Sequence, residues 1–97
     1  MAIWMVCIEL IAKTGDDGSP AKIGFMNITT WADSSETAVG RIREYIQSLG
    51  WQLVSVERAH AVNEDGKYGD RELDQIERTR HNPNAIVLGT FHTYKTN

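Results

Sequence analysis

The sequence predicts an α+β domain, a two-layer sandwich in which a four-stranded mixed sheet carries both helices on one face. Four runs rich in β-branched and aromatic residues predict the strands. Two segments with capping residues and helical spacing of apolar residues predict the helices. The elements follow in the order β-β-α-β-α-β, and 97 residues suit a single domain over 1–97.

The first two strands are predicted from apolar runs on either side of a polar loop. Ala2 to Ala12 carries apolar residues at both odd and even positions, which is typical of a strand covered on both faces. Lys22 to Trp31 is the second run. Lys13 to Pro20 between them is dense in turn-forming residues, so we expect an antiparallel hairpin.

The first helix is predicted over Ala32 to Leu49. Asp33 is the expected N-cap, with Glu36 three residues later as in a capping box. Gly50 ends the helix because glycine readily adopts the left-handed conformation. The apolar residues at three- and four-residue spacing form one face, and they are Val39, Ile42, either Tyr45 or Ile46, and Leu49.

The second half of the chain repeats the strand and helix pattern. Trp51 to Val62 is the third predicted strand. The second helix begins at a cap on Asp70 and ends near Asn82, with Leu73 and Ile76 as its main apolar anchors. Ala85 to Lys95 is the fourth strand. Right-handed crossovers place both helices on one face if each successive strand is added at the same edge of the sheet, and we therefore expect that arrangement.

Side-chain alternation divides the sheet residues between two faces. The predicted helix-covered rows are Trp4, Val6, Ile8 and Leu10; Gly24, Met26 and Ile28; Val54 and Val56; and Val87, Gly89 and Phe91. The predicted open face includes Glu9, Phe25, Asn27, Thr29, Trp31, Leu53, Leu88 and Thr90. A partly apolar open face is typical of a contact surface. We therefore expect a homodimer packed through this face, with a small-ligand pocket or another protein partner as alternatives.

One polar group on the open face suggests acid–base chemistry. A histidine beside a carboxylate exchanges protons near neutral pH, so His92 forms a candidate pair with Glu57 or Glu9, with Tyr94 as a hydrogen-bond donor. A cofactor-free enzyme is thus an alternative function, although the sequence contains no evident activated nucleophile. The three histidines lie on different elements and the one cysteine cannot complete a zinc site, so we expect no metal and no cofactor.

Charge and cysteine content narrow the classes of partner. A net charge of −3 does not favour binding to nucleic acid, because the phosphate backbone is also negatively charged. It suits an inhibitor or immunity-type protein that blocks a basic partner, a further alternative to the non-enzymatic binding or regulatory domain that we expect first. The single cysteine and the lack of a membrane-spanning apolar run predict a cytoplasmic protein without a membrane partner.

Overall fold

The computed structural model describes residues 1–12, 22–63 and 65–93. The predicted loop from Lys13 to Pro20 and the residue Tyr94 lie outside the described residues. The elements are β1 (Ala2–Ala12), β2 (Lys22–Ala32), α1 (Ser35–Ser48), β3 (Gln52–Ala61), α2 (Asp70–Arg80) and β4 (Ile86–Thr93). The predicted α+β class and element order are confirmed.

The four strands form one sheet in the order β3-β1-β2-β4, and each neighbouring pair is antiparallel. The prediction of a mixed sheet is wrong. Helix α1 connects β2 to β3, which run in the same direction, but β1 lies between them. The strands that share a direction are therefore never neighbours, and no parallel ladder forms.

One face of the sheet, which we call the α1 face, holds the main core. Val6, Ile8 and Ile28 on the strands are fully buried against Ile42 and Ile46 of α1. The rows predicted for β1 and β2 are confirmed there. The apolar stripe of α1 fills this face, because its turns place Ala38, Ile42 and Ile46 on one side of the helix.

Helix α2 packs on the opposite face of the sheet, which we call the α2 face. Ile76 is buried with Ile3 and Met5, whose side chains point away from the α1 face. The prediction that both helices share one face is therefore wrong. Handedness constrains a crossover between parallel strands, whereas α2 joins β3 and β4, which run in opposite directions at the two edges of the sheet.

Polar side chains hold much of α2 in place. The predicted anchor Leu73 is 49% exposed, whereas Gln75 and Thr79 are buried. The Thr79 hydroxyl donates to the carbonyl of Gln75 at 2.9 Å, so the Thr29 hydroxyl must be the donor in its 2.7 Å bond to Thr79. The Gln75 amide nitrogen donates to the carbonyl oxygens of Asn27 (3.0 Å) and Val87 (2.9 Å).

Bulges in both edge strands shift the alternation of side chains. In β3 the register slips twice, so Leu53, Val56 and Ala59 oppose Leu10, Ile8 and Val6 at a spacing of three residues. In β4 the pairs Met26–Phe91 and Ile28–Leu88 leave Gly89 and Thr90 opposite the single residue Asn27.

These bulges overturn five of the predicted face assignments, including that of Gly89, where a Cβ would meet the Gln75 side chain on the α2 face. Leu53 and Leu88 pack against the core of the α1 face and not on the open face. Val54, predicted to lie in the core, is an extra residue of a bulge and is 48% exposed. Val87 opposes Thr29 and so belongs to the α2 face.

The helix starts differ from the predicted caps by one residue. Ser34, not Asp33, caps α1, because its extended backbone lets the hydroxyl accept from the Thr37 amide at 3.2 Å. Gly69 precedes α2, and its amide donates to the Glu72 carboxylate at 3.2 Å. The left-handed conformation of Gly50 is confirmed, with φ of 77°.

Two glycine-to-alanine substitutions should change stability in opposite directions. A Cβ at Gly89 would lie 2.6 Å from the carbonyl oxygen of Asn27, so G89A should lower the free energy of unfolding by about 1–3 kcal/mol. A Cβ at Gly40 in α1 meets nothing within 4 Å, so G40A should raise it by about 0.5–1 kcal/mol. Urea unfolding of both variants tests this, and a neutral G89A would contradict the tight packing at the β4 bulge.

Candidate functional site

Helix α2 covers only part of the α2 face. It lies over the end of the sheet that holds Ile3, Met5 and Thr29. The other end, which α2 does not cover, forms a concavity of about 520 Å³. We call this region the open end, and its lining residues are Cys7, Phe25, Met26, Asn27, Glu57, Arg58 and His92.

The strand registers set the positions of these side chains. Cys7 on β1 lies opposite Asn27 on β2 and opposite Arg58 on β3. Phe25 on β2 lies opposite His92 on β4. Directly paired residues have Cβ atoms about 5 Å apart, within reach of one bound molecule. Cys7 and Phe25 are half-buried, whereas Arg58 and His92 are exposed.

Two carboxylates meet at the β3 side of the open end. The Ser55 hydroxyl lies 2.9 Å from Oε1 of Glu57 and 3.3 Å from Oε1 of Glu9. A serine hydroxyl has one hydrogen to donate, so it serves one of these carboxylates at a time. The carboxylates of Glu9 and Glu57 concentrate negative charge next to Arg58, which follows Glu57 in the chain.

The structure brings together part of the predicted acid–base group. Glu57 and His92 line the same concavity, and Glu9 is linked to Glu57 through Ser55. Tyr94 lies outside the described residues. The catalytic role of this group remains a prediction.

The predicted open-face residues that do lie on the α2 face divide among three surroundings. Phe25 and Asn27 line the open end. Thr29 and Trp31 lie beneath α2, where Thr29 is fully buried and the Trp31 indole nitrogen donates to the Thr79 carbonyl at 2.6 Å. These two residues were expected to be uncovered, and that prediction is wrong because α2 crosses to their face.

The remaining predicted residue of that face lies beside α2. Thr90 is exposed, and its hydroxyl accepts from the Arg71 guanidinium at 3.4 Å. It lines a groove between α2 and β4 that also includes Asn27 and His92. The groove and the open end therefore adjoin each other.

Arg58 is the functional candidate that sequence reasoning missed. Strict alternation from Ser55 and Glu57 assigns Arg58 to the core face. The bulge at Glu57 turns Arg58 toward the α2 face instead, where it opposes Cys7. A charged residue at a predicted core position was the available signal, since an unpaired charge is rarely buried.

The open end offers positively and negatively charged groups around the partly apolar residues Cys7 and Phe25.

Among the residues that the structure describes, no three histidine, cysteine or acidic side chains are placed to hold a metal ion. No helix in the described ranges has the length and hydropathy needed to cross a bilayer. No family model, curated protein or solved structure matches this chain, so the interpretation of the site depends on its own residues.

Proposed function

We propose that this chain is a non-enzymatic binding domain whose ligand contacts the open end. The observation that carries the proposal is the concavity of about 520 Å³ lined by Arg58, Glu57 and His92 around Cys7 and Phe25. This volume falls within the usual range for ligand sites. A ligand with polar groups of both signs suits the lining. A cytoplasmic location is part of the proposal, because the chain has a single cysteine.

The apolar content of the open end favours such a ligand over a sheet-packed homodimer. Of the four large apolar residues predicted for the dimer interface, Leu53 and Leu88 pack into the core of the α1 face, and Trp31 lies beneath α2. Only Phe25 remains at the open end. A stable interface buries roughly 800 Å² on each partner and usually has an apolar centre, which one half-buried phenylalanine supplies poorly.

Chemical-shift mapping with a library of small polar fragments tests the proposal. Fragments that bind should shift the backbone amides of Cys7, Phe25 and His92, and R58E should abolish those shifts. The matched control is R43E, which reverses an exposed charge on α1. Binding confined to other surfaces, or unchanged by R58E, would overturn the proposal.

Light scattering on the same variants tests the homodimer directly. A dimer that dissociates in F25D and R58E but persists in R43E would identify a second copy as the occupant of the open end. A monomer at all concentrations would exclude that occupant. The two results separate self-association from ligand binding at the same surface.

A second candidate function is a cofactor-free enzyme, favoured by the presence of Glu57 and His92 in one concavity. In this mechanism Glu57 accepts a proton from the bound substrate and His92 returns one. Once a fragment is known to bind, its turnover can be followed by NMR. Turnover abolished by H92A, with unchanged binding and thermal unfolding, would support catalysis; no turnover of bound fragments would exclude it for those substrates.

A further inference from the structure

We propose that the groove between α2 and β4 is a second binding site, which takes a small uncharged molecule that carries a carboxamide or lactam group. This site goes beyond the proposed function, which concerns the open end. The two sites adjoin, since Asn27 and His92 line both, but different side chains provide their binding groups.

The groove lies over the α2 face of the sheet, where side chains of α2 form its wall. It encloses about 500 Å³, which falls within the usual range for a small-molecule site. Its lining includes Asn27 of β2 and residues 87–90 of β4. The groove is therefore large enough for a compact ring compound that lies against the two strands.

A buried side-chain oxygen faces this groove without a hydrogen-bond donor. Gln75 is 6% exposed, and its Nε2 donates to the carbonyl oxygens of Asn27 and Val87. These two acceptors fix the orientation of the amide, because the opposite orientation would place Oε1 against two oxygens. Oε1 lies over Gly89, at 2.9 Å from the position that a Cβ there would take. It accepts no hydrogen bond from the described part of the chain, and an N–H group of a ligand would satisfy it.

A donor lies one helical turn from this acceptor. Arg71 precedes Gln75 by four residues on α2, so the two side chains lie on the same side of the helix. The Arg71 guanidinium donates to the Thr90 hydroxyl at 3.4 Å, and Thr90 follows Gly89 on β4. A carboxamide or a lactam carries an N–H and a carbonyl side by side. Its N–H can donate to Gln75 while its carbonyl accepts from Arg71.

The arginine and acidic side chains around the groove favour an uncharged ligand. They are Arg71, Arg78, Glu72 and Asp74, so two positive and two negative formal charges cancel. Asp74 is paired with Arg78 at 3.0 Å, and the Glu72 carboxylate accepts from the Gly69 amide. A charged ligand would gain little net attraction here and would lose its hydration. A neutral N–H donor satisfies the buried oxygen without that cost.

Chemical-shift titration of the full chain with benzamide and δ-valerolactam tests the inference. Each amide has a matched ketone, acetophenone or cyclohexanone, in which a methyl or methylene group replaces the nitrogen and the carbonyl is kept. The amides should shift the backbone signals of Gly89 and Thr90 and the side-chain NH₂ signals of Gln75. The ketones should bind at least about tenfold more weakly, because they leave Oε1 of Gln75 without a donor.

Replacing Arg71 with methionine tests the donor. Arg71 is exposed, so R71M should stay folded, and the amides should bind it about two- to tenfold more weakly because their carbonyl loses a partner. The matched control is R43M, which removes an exposed guanidinium from α1 and should leave amide binding unchanged. R58E, which tests the open end, should also leave amide binding at the groove unchanged.

Three results would overturn the inference. Equal binding of amides and matched ketones would mean that water alone satisfies the Gln75 oxygen. No shift of Gly89 or Thr90 by either amide at up to about 20 mM would exclude binding in the groove. Tighter binding of benzoate or benzamidine, the charged relatives of benzamide, would contradict selection of an uncharged ligand.

The variants separate this inference from the proposed function. Amide binding that is lost in R58E but unchanged in R71M would place the ligand at the open end, which would overturn the groove site and support the proposed function. Amide binding that is weakened in R71M and unchanged in R58E supports the groove site. That result leaves the test of the open end to the fragments that shift Cys7 and Phe25.

Discussion

Replacing Gln75 with leucine is expected to lower the free energy of unfolding by about 2–4 kcal/mol, because two carbonyl oxygens lose a buried donor. The Gln75 amide bonds to Asn27 and Val87 on neighbouring strands, beside the bulge where the β2–β4 register shifts. Leucine keeps a similar volume but cannot donate. The loss is a large fraction of the total stability of a domain of this size, which is about 5–15 kcal/mol.

The matched control for Q75L is D74A, which changes the preceding residue of α2. Asp74 forms an exposed ion pair with Arg78, and its removal should change stability by less than about 1 kcal/mol. Guanidinium unfolding followed by circular dichroism gives both values. Equal effects of Q75L and D74A would mean that the Gln75 amide does not hold α2 against the sheet.

Leu88→Asp is expected to prevent stable folding. Leu88 is partly buried against the core of the α1 face, so losing its burial costs up to about 1.5–3 kcal/mol. Desolvating the new carboxylate costs at least a further few kcal/mol. The sum is comparable to the stability of the whole domain, so we expect L88D to give the circular dichroism spectrum of an unfolded chain at room temperature.

Val54→Asp is the control for this substitution. Strict alternation would place Val54 in the core and Leu88 outside it, whereas the bulges reverse both positions. Because Val54 is 48% exposed, V54D should remain folded with a loss of no more than about 1 kcal/mol. A folded L88D together with an unfolded V54D would contradict the registers of both edge strands.

The first half of the fold could be predicted from the sequence because its signals are local. The row of Val6, Ile8 and Leu10 alternates without interruption, and it packs against the stripe of α1 that includes Ile42. A capping hydroxyl, a regular apolar period and Gly50 at the end define α1. Each feature depends on residues within a few positions of one another.

The edge strands could not be assigned in the same way, because a bulge leaves no reliable mark in one sequence. The extra residues in β3 are Val54 and Glu57, an apolar and a charged side chain. Each shifts the following residues to the other face, so one error propagates along the strand. Gly89 was the most informative signal, since glycine within a strand often marks a bulge.

The position of α2 was missed because its contacts are polar and distant in sequence. The sparse apolar residues of α2 suggested a weakly held helix, and Leu73 was expected to anchor it. Of the two predicted anchors only Ile76 is buried, and the other buried contacts of α2 come from Gln75 and Thr79, which bond to β2 and β4. This position leaves the open end uncovered and forms the groove beside β4, so the candidate site depends on it.

Nuclear Overhauser effects from the Ile76 methyl groups test the position of α2 most directly. With α2 on the face opposite α1, Ile76 should show strong cross-peaks to Ile3 and Met5, with which it is buried. It should show none to Val6 or Ile8, which point toward α1. Cross-peaks from Ile76 to Val6 or Ile8, without those to Ile3 and Met5, would place both helices on one face and remove both the open end and the groove.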